Sequence, residues 1–497
     1  MINFNELPLL SLLIITLPIG AAIIWLDPTA RYARWVALCT AIVDLFIALL
    51  VLFKFDASNS NHQFIDKADW IPTLNIYYKV GIDGLSVMFL PLTVILFIGV
   101  IIASWNSIRT LPRLYYTMLL LLESTTLGIF CSLDTVLFFL FWELTLIPGY
   151  FLISLWGIGP NRRYAAVKYT LFMLIGGIPI LFAFVLLGFS FEGDGLMFDL
   201  LSLIASPPDE HIQTIVFFLL LIGFAIKIPV FPFHTWLPLI ALEGPVAVAA
   251  LMTGLKLGAY GVIRLAIPLA PNAALNYHWL LAGLGIFGMI YGALIALQQT
   301  NLRRFLAYSS ISHVGLVILG VASFNMQGIQ GAIYQLLNFT VIAGGLFLLT
   351  GFLHHRTGST NMMNLGGAAR TMPLLASFYF IFGLASIGIP GTNGFPAELL
   401  ILISALKTHT GAGLAALFGI VLGAAGLVRS YRRSFFGPVT KNIVAEAEDL
   451  KRREIVVIGA MCLLIFLLGF YPGLVLETSR LASEAWLQQL GLGPVNQ

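Results

Sequence analysis

About fourteen long apolar runs follow one another along this chain, and no other feature constrains its fold so strongly. A helix needs about 20 apolar residues to cross the hydrocarbon core of a bilayer. Hydrophobic residues make up 59% of the 497 residues and charged residues only 10%, against about 45–50% and roughly 25% in soluble domains. The sequence therefore predicts an integral membrane protein and excludes a soluble enzyme, a nucleic-acid binder and a disordered chain.

The apolar runs predict an all-α, multi-pass membrane protein with about fourteen transmembrane helices. Long polar connections cover 54–83 and 191–211. The tail from Glu477 to Leu490 has the pattern of an amphipathic helix that could lie along the membrane surface. The predicted transmembrane helices cover 8–26, 34–53, 84–104, 114–132, 133–156, 164–190, 212–232, 242–267, 277–299, 303–321, 328–353, 373–403, 412–433 and 455–475.

The distribution of lysine and arginine predicts the orientation of the chain. With fourteen spans, about eighteen of the 26 basic residues fall in connections on the side opposite the N-terminus, and about six fall on the N-terminal side. Basic residues concentrate in cytoplasmic connections. The N-terminus is therefore predicted on the periplasmic or lumenal side. The two remaining lysines, Lys227 and Lys256, lie inside predicted helices.

The sequence offers no pattern that would hold a redox cofactor, a nucleotide or a metal. Cys39, Cys131 and Cys462 each stand alone in an apolar run, and no C-x-x-C pair is present. Neither the dinucleotide-binding glycine fingerprint nor the Walker A sequence occurs. We therefore expect no cofactor and no metal in this chain.

Several ionisable side chains fall inside the predicted transmembrane helices. A charge at the centre of a bilayer costs about 2.5–3.5 kcal/mol on insertion scales, so such residues usually face a partner or a wet cavity. A structural role, as a hydrogen-bond partner, remains open for the histidines and for Asp44. The carboxylates, lysines and histidines of this group are Asp44, Glu123, Glu143, Lys227, Lys256, Glu398, His234 and His313.

Two predicted helices, the seventh and the twelfth, carry both an ionisable group and a helix-breaking sequence. Lys227 precedes Pro229 by two residues, and Pro390 lies shortly before Glu398. Proline interrupts a helix, and broken helices at membrane depth line buried or hydrated sites in transporters. Because these two helices lie five apart, an odd number, they predict internal repeats of inverted orientation. A purely structural subunit would need neither feature.

The charged residues predict a chain of proton-transfer groups. A lysine in a low dielectric needs a nearby anion to stay protonated, and Glu143 is the expected partner of Lys227. Opening and closing that pair would load or unload a proton on the lysine. Lys256, His313 and Glu398 would then be the next stations, joined by water, with Glu123, His234 and Asp44 as secondary candidates.

Five segments give the chain a recognisable family resemblance. It resembles the antiporter-like subunits of respiratory complex I, which share their ancestry with Mrp-type sodium/proton antiporters. The carboxylate in the twelfth helix, where other branches have lysine, resembles the M/subunit 4 branch, including the D subunit of the cyanobacterial and plastid photosynthetic NAD(P)H dehydrogenase and its carbon-dioxide-uptake variants. The segments are 141–148, 227–238, 255–264, 303–313 and 390–398.

The resemblance implies a proton-translocating subunit of an NAD(P)H:quinone oxidoreductase, coupled to quinone or plastoquinone reduction elsewhere in the complex. It implies partner subunits that carry flavin, iron–sulfur clusters and quinone, further antiporter-like subunits among them, and a cyanobacterial thylakoid or plasma membrane as the location. It also implies two inverted five-helix repeats. The chain then divides into an N-terminal segment 1–113, repeats at 114–267 and 277–433, and a last helix and tail at 434–497.

Two departures from the family pattern affect the predicted route. Leu239, Ile240 and Ala241 stand where the family has Asp-Ala-His, and Phe339, within 335–340, falls in the segment where the family's eleventh-helix histidine is expected. Two other functions remain open at this point: a sodium/proton exchanger of the Mrp type that acts without redox partners, and a structural subunit that transports nothing.

Overall fold

A computed structural model describes residues 7–27, 31–191, 195–439 and 441–492, and these residues are mostly helical. Eleven of the helices in these ranges are long and apolar enough to cross a membrane. Three shorter apolar helices, Leu9–Ile24, Phe89–Ala103 and Pro373–Ser386, lie in other predicted spans. Every predicted span therefore contains an apolar helix, which confirms a multi-pass membrane protein. The count of fourteen, the inverted repeats and the division into segments stay predictions.

The N-terminal part of the fold combines helices with a β-hairpin that the sequence analysis did not predict. The hairpin lies in the polar connection 54–83, and its antiparallel strands pair Asp66 with Val80 and Ala68 with Tyr78. Asn75 closes the turn with a φ of 53°, a left-handed conformation that asparagine tolerates. The elements are α1 Leu9–Ile24, α2 Ala33–Lys54, β1 Gln63–Ile71, β2 Ile76–Ile82 and α3 Phe89–Ala103.

In the middle part of the chain, one predicted span is divided into two helices. The predicted span 133–156 starts where the Asp134 carboxylate accepts hydrogen bonds from the backbone of Val136 and Leu137, and it is interrupted at Thr145. The helices are α4 Pro112–Cys131, α5 Thr135–Leu144, α6 Leu146–Trp156, α7 Arg162–Ser190, α8 Leu200–Ala205, α9 Glu210–Lys227, α10 Trp236–Glu243, α11 Val246–Gly254, α12 Leu257–Gly261 and α13 Pro271–Asn276.

The C-terminal part contains a closely packed helix pair, α14 and α15. A Cβ atom on Gly315 would lie 2.4 Å from the backbone oxygen of Gly285, so glycine is what permits this approach, as in many membrane helix pairs. The helices are α14 His278–Gln298, α15 Leu302–Ala322, α16 Met326–Asn338, α17 Gly344–Thr357, α18 Ala368–Thr371, α19 Pro373–Ser386, α20 Gly394–Thr408, α21 Thr410–Phe435, α22 Asn442–Ala445, α23 Arg452–Phe470 and α24 Gly473–Gln489.

Helix interruptions occur at the two predicted places and, besides the one at Thr145, at one further place. Helix α9 ends at Lys227, and α19 and α20 are separated by residues 387–393, which confirms the predicted breaks in the seventh and twelfth spans. The eighth span is also broken, because Lys256 lies between α11 and α12 in a non-helical conformation. π-helical turns follow at Val262–Ala266 and Phe339–Ala343, and such turns are frequent at functional sites.

The C-terminal helix α24 packs against the rest of the protein. The Trp486 indole donates a hydrogen bond of 2.8 Å to the backbone oxygen of Ile263, and the Gln330 side chain donates one of 2.8 Å to Leu476. The tail predicted from Glu477 to Leu490 is therefore helical, and its buried face contacts protein.

Ion pairs tie the hairpin to neighbouring segments on the predicted N-terminal side of the membrane. Lys79 of β2 pairs with Asp199, whose carboxylate also caps α8 by accepting from the backbone of Ser202. Arg264 donates to Asp83 at 2.6 Å. The hairpin is thus linked both to the 191–211 connection and to the helix segment that follows Lys256.

We expect the Lys79–Asp199 pair to stabilise the fold. Burial opposes ionisation, yet the Lys79 ammonium holds the pKa of the Asp199 carboxyl below its usual range. Such a carboxyl contributes stability above its unfolded pKa of about 3.9 and loses it as the pH falls further. Asp199→Asn should lower the free energy of unfolding by about 1.5–3 kcal/mol at neutral pH, with a difference that shrinks below about pH 4.

Denaturant unfolding of the detergent-purified protein measures this effect. Glu448→Gln is the control, because the Glu448–Lys451 pair is exposed and its charged atoms are 4.0 Å apart. The free energy of unfolding of that variant should fall by about 0.5 kcal/mol or less. Equal losses in the two variants, or a pH-independent loss in Asp199→Asn, would contradict the prediction.

Candidate functional site

The site begins where α5 and α6 meet opposite the end of α9. The Lys227 ammonium donates a hydrogen bond of 2.9 Å to the Thr145 hydroxyl and lies 3.8 Å from the centre of the Trp142 ring. The Trp142 backbone oxygen is 3.5 Å from the same ammonium. The interruption at Thr145 therefore supplies the polar groups that hold the charge of Lys227.

The expected direct pair between Glu143 and Lys227 is not formed. Their charged atoms form no ion pair, although the two side chains interact electrostatically. One Glu143 oxygen is buried without a hydrogen-bond partner in the protein and lies against Gly177 of α7, where a Cβ atom would be 2.0 Å away. In this conformation the Thr145 hydroxyl, two residues further along the chain, accepts from the ammonium, and Glu143 stays an electrostatic partner of Lys227.

Lys256 lies next to the broken end of α9 and has no hydrogen-bond partner for its ammonium in the protein. Only 5% of the residue is exposed. Gly258, two residues further on, packs against the backbone of Phe224 and Ile228, which places the interruption in this helix beside the one that follows Lys227. The Lys256 ammonium is 5.0 Å from the centre of the Phe339 ring.

His313 and Glu398 meet at the break between α19 and α20. The His313 Nδ1 atom is 2.8 Å from the backbone oxygen of Ser309, and Nε2 is 2.7 Å from that of Ser386. Both ring nitrogens thus face acceptors, and a neutral imidazole donates to only one of them. Glu398 lies 3.8 Å from His313 Nε2. Its second oxygen faces Gly388, which has a φ of +67° and leaves room for the carboxylate.

The secondary candidates lie apart from this row. His234 is buried in the turn after α9, where its ring contacts Phe231 and Tyr291. Asp44 of α2 and Glu123 of α4 are fully buried, and none of their four carboxylate oxygens has a hydrogen-bond partner in the protein. These two carboxylates interact electrostatically with each other. They form a separate acidic pair in the N-terminal part of the chain.

Sequence reasoning missed the roles of Thr145, Gly177 and Phe339. Thr145 follows Glu143, the expected partner of Lys227, by two residues in an apolar run. Its hydroxyl was therefore the available signal for a second partner of the lysine. The contacts of Gly177 and Phe339 had no local signal, because both are made across the fold. Among the described residues, no group of three or more His, Cys, Asp or Glu side chains could hold a metal ion.

Sequence comparisons relate the chain to membrane subunits of quinone oxidoreductases. The family described as NADH:quinone oxidoreductase/Mrp antiporter, transmembrane, matches residues 132–423. NADH-quinone oxidoreductase subunit M of Rickettsia bellii is 35% identical over 483 residues, covering 96% of each chain. NAD(P)H-quinone oxidoreductase chain 4 1 of a Nostoc species is 36% identical over 493 residues, covering 96% of this chain and 91% of the relative.

Structural comparisons agree with this relationship. A chain of respiratory complex I from Thermus thermophilus matches with a TM-score of 0.89 and 30% identity, covering 97% of this chain and all of the other. A chain of the Mrp complex from a Dietzia species matches with a TM-score of 0.81 and 23% identity, over 95% of this chain and 52% of the other. The second match shows a shared fold.

The two buried lysines should respond oppositely to neutral substitution. Lys256→Met removes a polar group for which the protein supplies no hydrogen bond, so it should raise the free energy of unfolding by about 1–3 kcal/mol. Lys227→Met loses the bond to Thr145 and should bring no gain. Chemical denaturation of the two variants measures this, and a Lys256→Met protein less stable than the parent would contradict the prediction.

Proposed function

This chain belongs to the NADH:quinone oxidoreductase/Mrp antiporter family of membrane proteins, and we infer from that premise that it carries protons across the bilayer as a subunit of a complex I-type assembly. The observation that carries the proposal is the buried, unpaired Lys256 ammonium, which lies at a helix interruption with Lys227 on one side and the His313–Glu398 pair on the other. A charge without a partner at this depth is costly and marks a transport pathway.

We propose that Glu143 controls the protonation of Lys227. Redox energy released in partner subunits that carry flavin, iron–sulfur clusters and quinone would shift Glu143 relative to Lys227. When the carboxylate approaches, it stabilises the ammonium, and when it withdraws, the lysine gives its proton to the next acceptor. Lysine can do this because it loses a proton more readily than arginine when buried. The Thr145 hydroxyl, which accepts from the Lys227 ammonium, holds the lysine in its present position.

The proton would then pass from Lys227 to Lys256 and from there to His313 and Glu398. His313 can bind a second proton because both of its nitrogens face backbone acceptors, and it can release one toward Glu398 at 3.8 Å. Each transfer leaves the donor with one proton fewer and the acceptor with one more. Release from Glu398 on the N-terminal side of the membrane completes the transfer.

The distribution of basic residues and the relatives of the chain suggest its membrane and its orientation. We propose a thylakoid or plasma membrane, with the N-terminus on the lumenal or periplasmic side, because basic residues are concentrated on the other side. The cyanobacterial relative supports a membrane of this kind. Partner subunits would include further antiporter-like chains.

Sodium/proton exchange of the Mrp type is the alternative function. The complex I-type relatives are 35% to 36% identical to this chain over nearly its whole length. The chain of the Mrp complex is 23% identical, and the match covers only 52% of that chain. The complex I reading is therefore the stronger of the two. Sodium-dependent proton flux through the isolated chain would support exchange, and co-purification with a quinone-binding subunit would support the proposal.

Neutral substitution of Lys227 tests the proposal. Lys227→Ala in the assembled complex should slow proton transfer through this chain about 100-fold or more, the usual effect of removing an acid–base group. Proton uptake by vesicles that contain the complex measures this, with quinone reduction followed in parallel. Lys407→Ala is the control, because that lysine is exposed at the end of α20. Normal pumping by a normally assembled Lys227→Ala complex would reject the role of Lys227.

The position of Glu143 can be tested without changing its charge. In Gly177→Ala the new methyl group would occupy the place of the Glu143 carboxylate, so the side chain should move and pumping should fall while assembly is preserved. Gly283→Ala on α14 is the matched control, because no atom lies within 4 Å of the added Cβ. Equal pumping by the two variants would show that the position of Glu143 is not important.

A further inference from the structure

A small cavity lies beside His313, on the route between Lys256 and Glu398. Its volume of about 30 Å³ has room for about two water molecules. Most of its wall is apolar, but six polar residues also line it. These polar residues are Ser309, Ser310, His313, Gln335, Asn338 and Ser386.

Two polar atoms of the cavity wall have no hydrogen-bond partner in the protein: the Ser310 hydroxyl and the Asn338 Oδ1 atom. Only 4% of Ser310 and 1% of Asn338 are exposed. The Asn338 amide nitrogen donates to Gln335 Oε1 at 3.1 Å and to the backbone oxygen of Asn393 at 2.8 Å. Because these bonds use both amide protons, they fix the orientation of the side chain and leave its oxygen as a free acceptor.

An unpartnered buried hydroxyl or amide oxygen costs about 1–3 kcal/mol each. Water molecules in a polar cavity usually satisfy such groups with two to four hydrogen bonds. Ser310 and Asn338 therefore have the chemistry of a water-binding site, in which the hydroxyl can donate or accept and the amide oxygen accepts.

Phe339 separates this cavity from Lys256. Its ring centre is 5.0 Å from the Lys256 ammonium on one side and 6.4 Å from the centre of the His313 ring on the other, with the two rings perpendicular. An aromatic ring cannot continue a hydrogen-bonded chain of water. Phe339 is also the first residue of the π-helical turn Phe339–Ala343, where backbone hydrogen bonding is irregular.

We propose that Ser310 and Asn338 hold a pair of water molecules as an additional proton-transfer station between Lys256 and His313, and that the Phe339 ring is the gate that closes this station toward Lys256. The proposal rests on the proton transfer proposed above. When the ring moves aside, the Lys256 ammonium gives a proton to the first water. The second water gives one to the imidazole, so Lys256 becomes neutral and His313 becomes an imidazolium.

The continuation of the route supports this position for the station. His313 and Ser386 also line a second cavity, which has a volume of about 10 Å³ and contains Glu398 in its wall. That space holds about one water molecule. His313 therefore lies between the two cavities and can receive a proton from the first and pass it to Glu398 through the second.

Removal of the water-binding groups tests the station. Ser310→Ala and Asn338→Leu in the assembled complex, in vesicles, should each lower the number of protons pumped per electron by the share that passes through this chain, while quinone reduction with an uncoupler stays at the parental rate. Ser323→Ala is the control for Ser310→Ala. Ser323 directly follows α15 and does not line the cavity, and its hydroxyl donates to the Leu319 backbone oxygen. Pumping by Ser310→Ala and Asn338→Leu equal to that of Ser323→Ala would overturn the station.

Enlargement of the passage tests the gate. Phe339→Ala should raise passive proton leakage through the vesicle membrane in the absence of electron transfer, and Phe339→Leu, which keeps an apolar barrier, should stay tight. No additional leakage in Phe339→Ala would overturn the gate. Lys256→Met in the same vesicles separates this inference from the proposed function. Normal pumping by Lys256→Met would contradict the proposed function. Lost pumping in Lys256→Met, together with parental behaviour of the Ser310, Asn338 and Phe339 variants, would contradict only the water station and its gate.

Discussion

The structure depends on the cost of placing charged side chains in a bilayer without a counter-charge. Interrupted helices reduce this cost, because backbone groups that lose their helical partners become available to side chains. Lys227 lies near the Trp142 backbone oxygen at the break before Thr145, and His313 contacts the Ser386 backbone oxygen at the end of α19. Lys256 has only its own interruption and no hydrogen bond in the protein. Among the lysines and the histidine of this row, Lys256 is thus the least satisfied, and the proposed route passes through it.

Much of this arrangement is predictable from the sequence, because charges in apolar runs are rare and visible. Lys227, Lys256 and Glu398 are conspicuous for this reason alone, and the prolines at 229 and 390 predict the breaks beside two of them. The membrane class and the approximate spans follow from run length. The resemblance to the complex I subunits was then confirmed by relatives that align with almost the whole chain.

The features that sequence reasoning missed are set by contacts across the fold. Lys256 interrupts its helix although no proline is adjacent, so local propensity gives only the flanking glycines at 254 and 258 as a signal. Glu143 and Lys227 have opposite charges, but helix geometry brings the nearer Thr145 hydroxyl to the ammonium. The β-hairpin lies in a polar connection, and polar and apolar residues alternate too irregularly along its strands to predict them. The departure at Phe339 was visible, yet its place between Lys256 and His313 required the tertiary structure.

In the proposed route, buried carboxylates and amines of this row change their protonation as the complex works. Infrared difference spectroscopy of the assembled complex, recorded between resting and turning-over states, observes the carbonyl stretch of protonated carboxyl groups directly. We expect a band that appears or disappears on turnover, shifts in deuterated water and is lost in Glu398→Gln. A spectrum with no carboxyl band that depends on Glu398 would contradict proton transfer through this site.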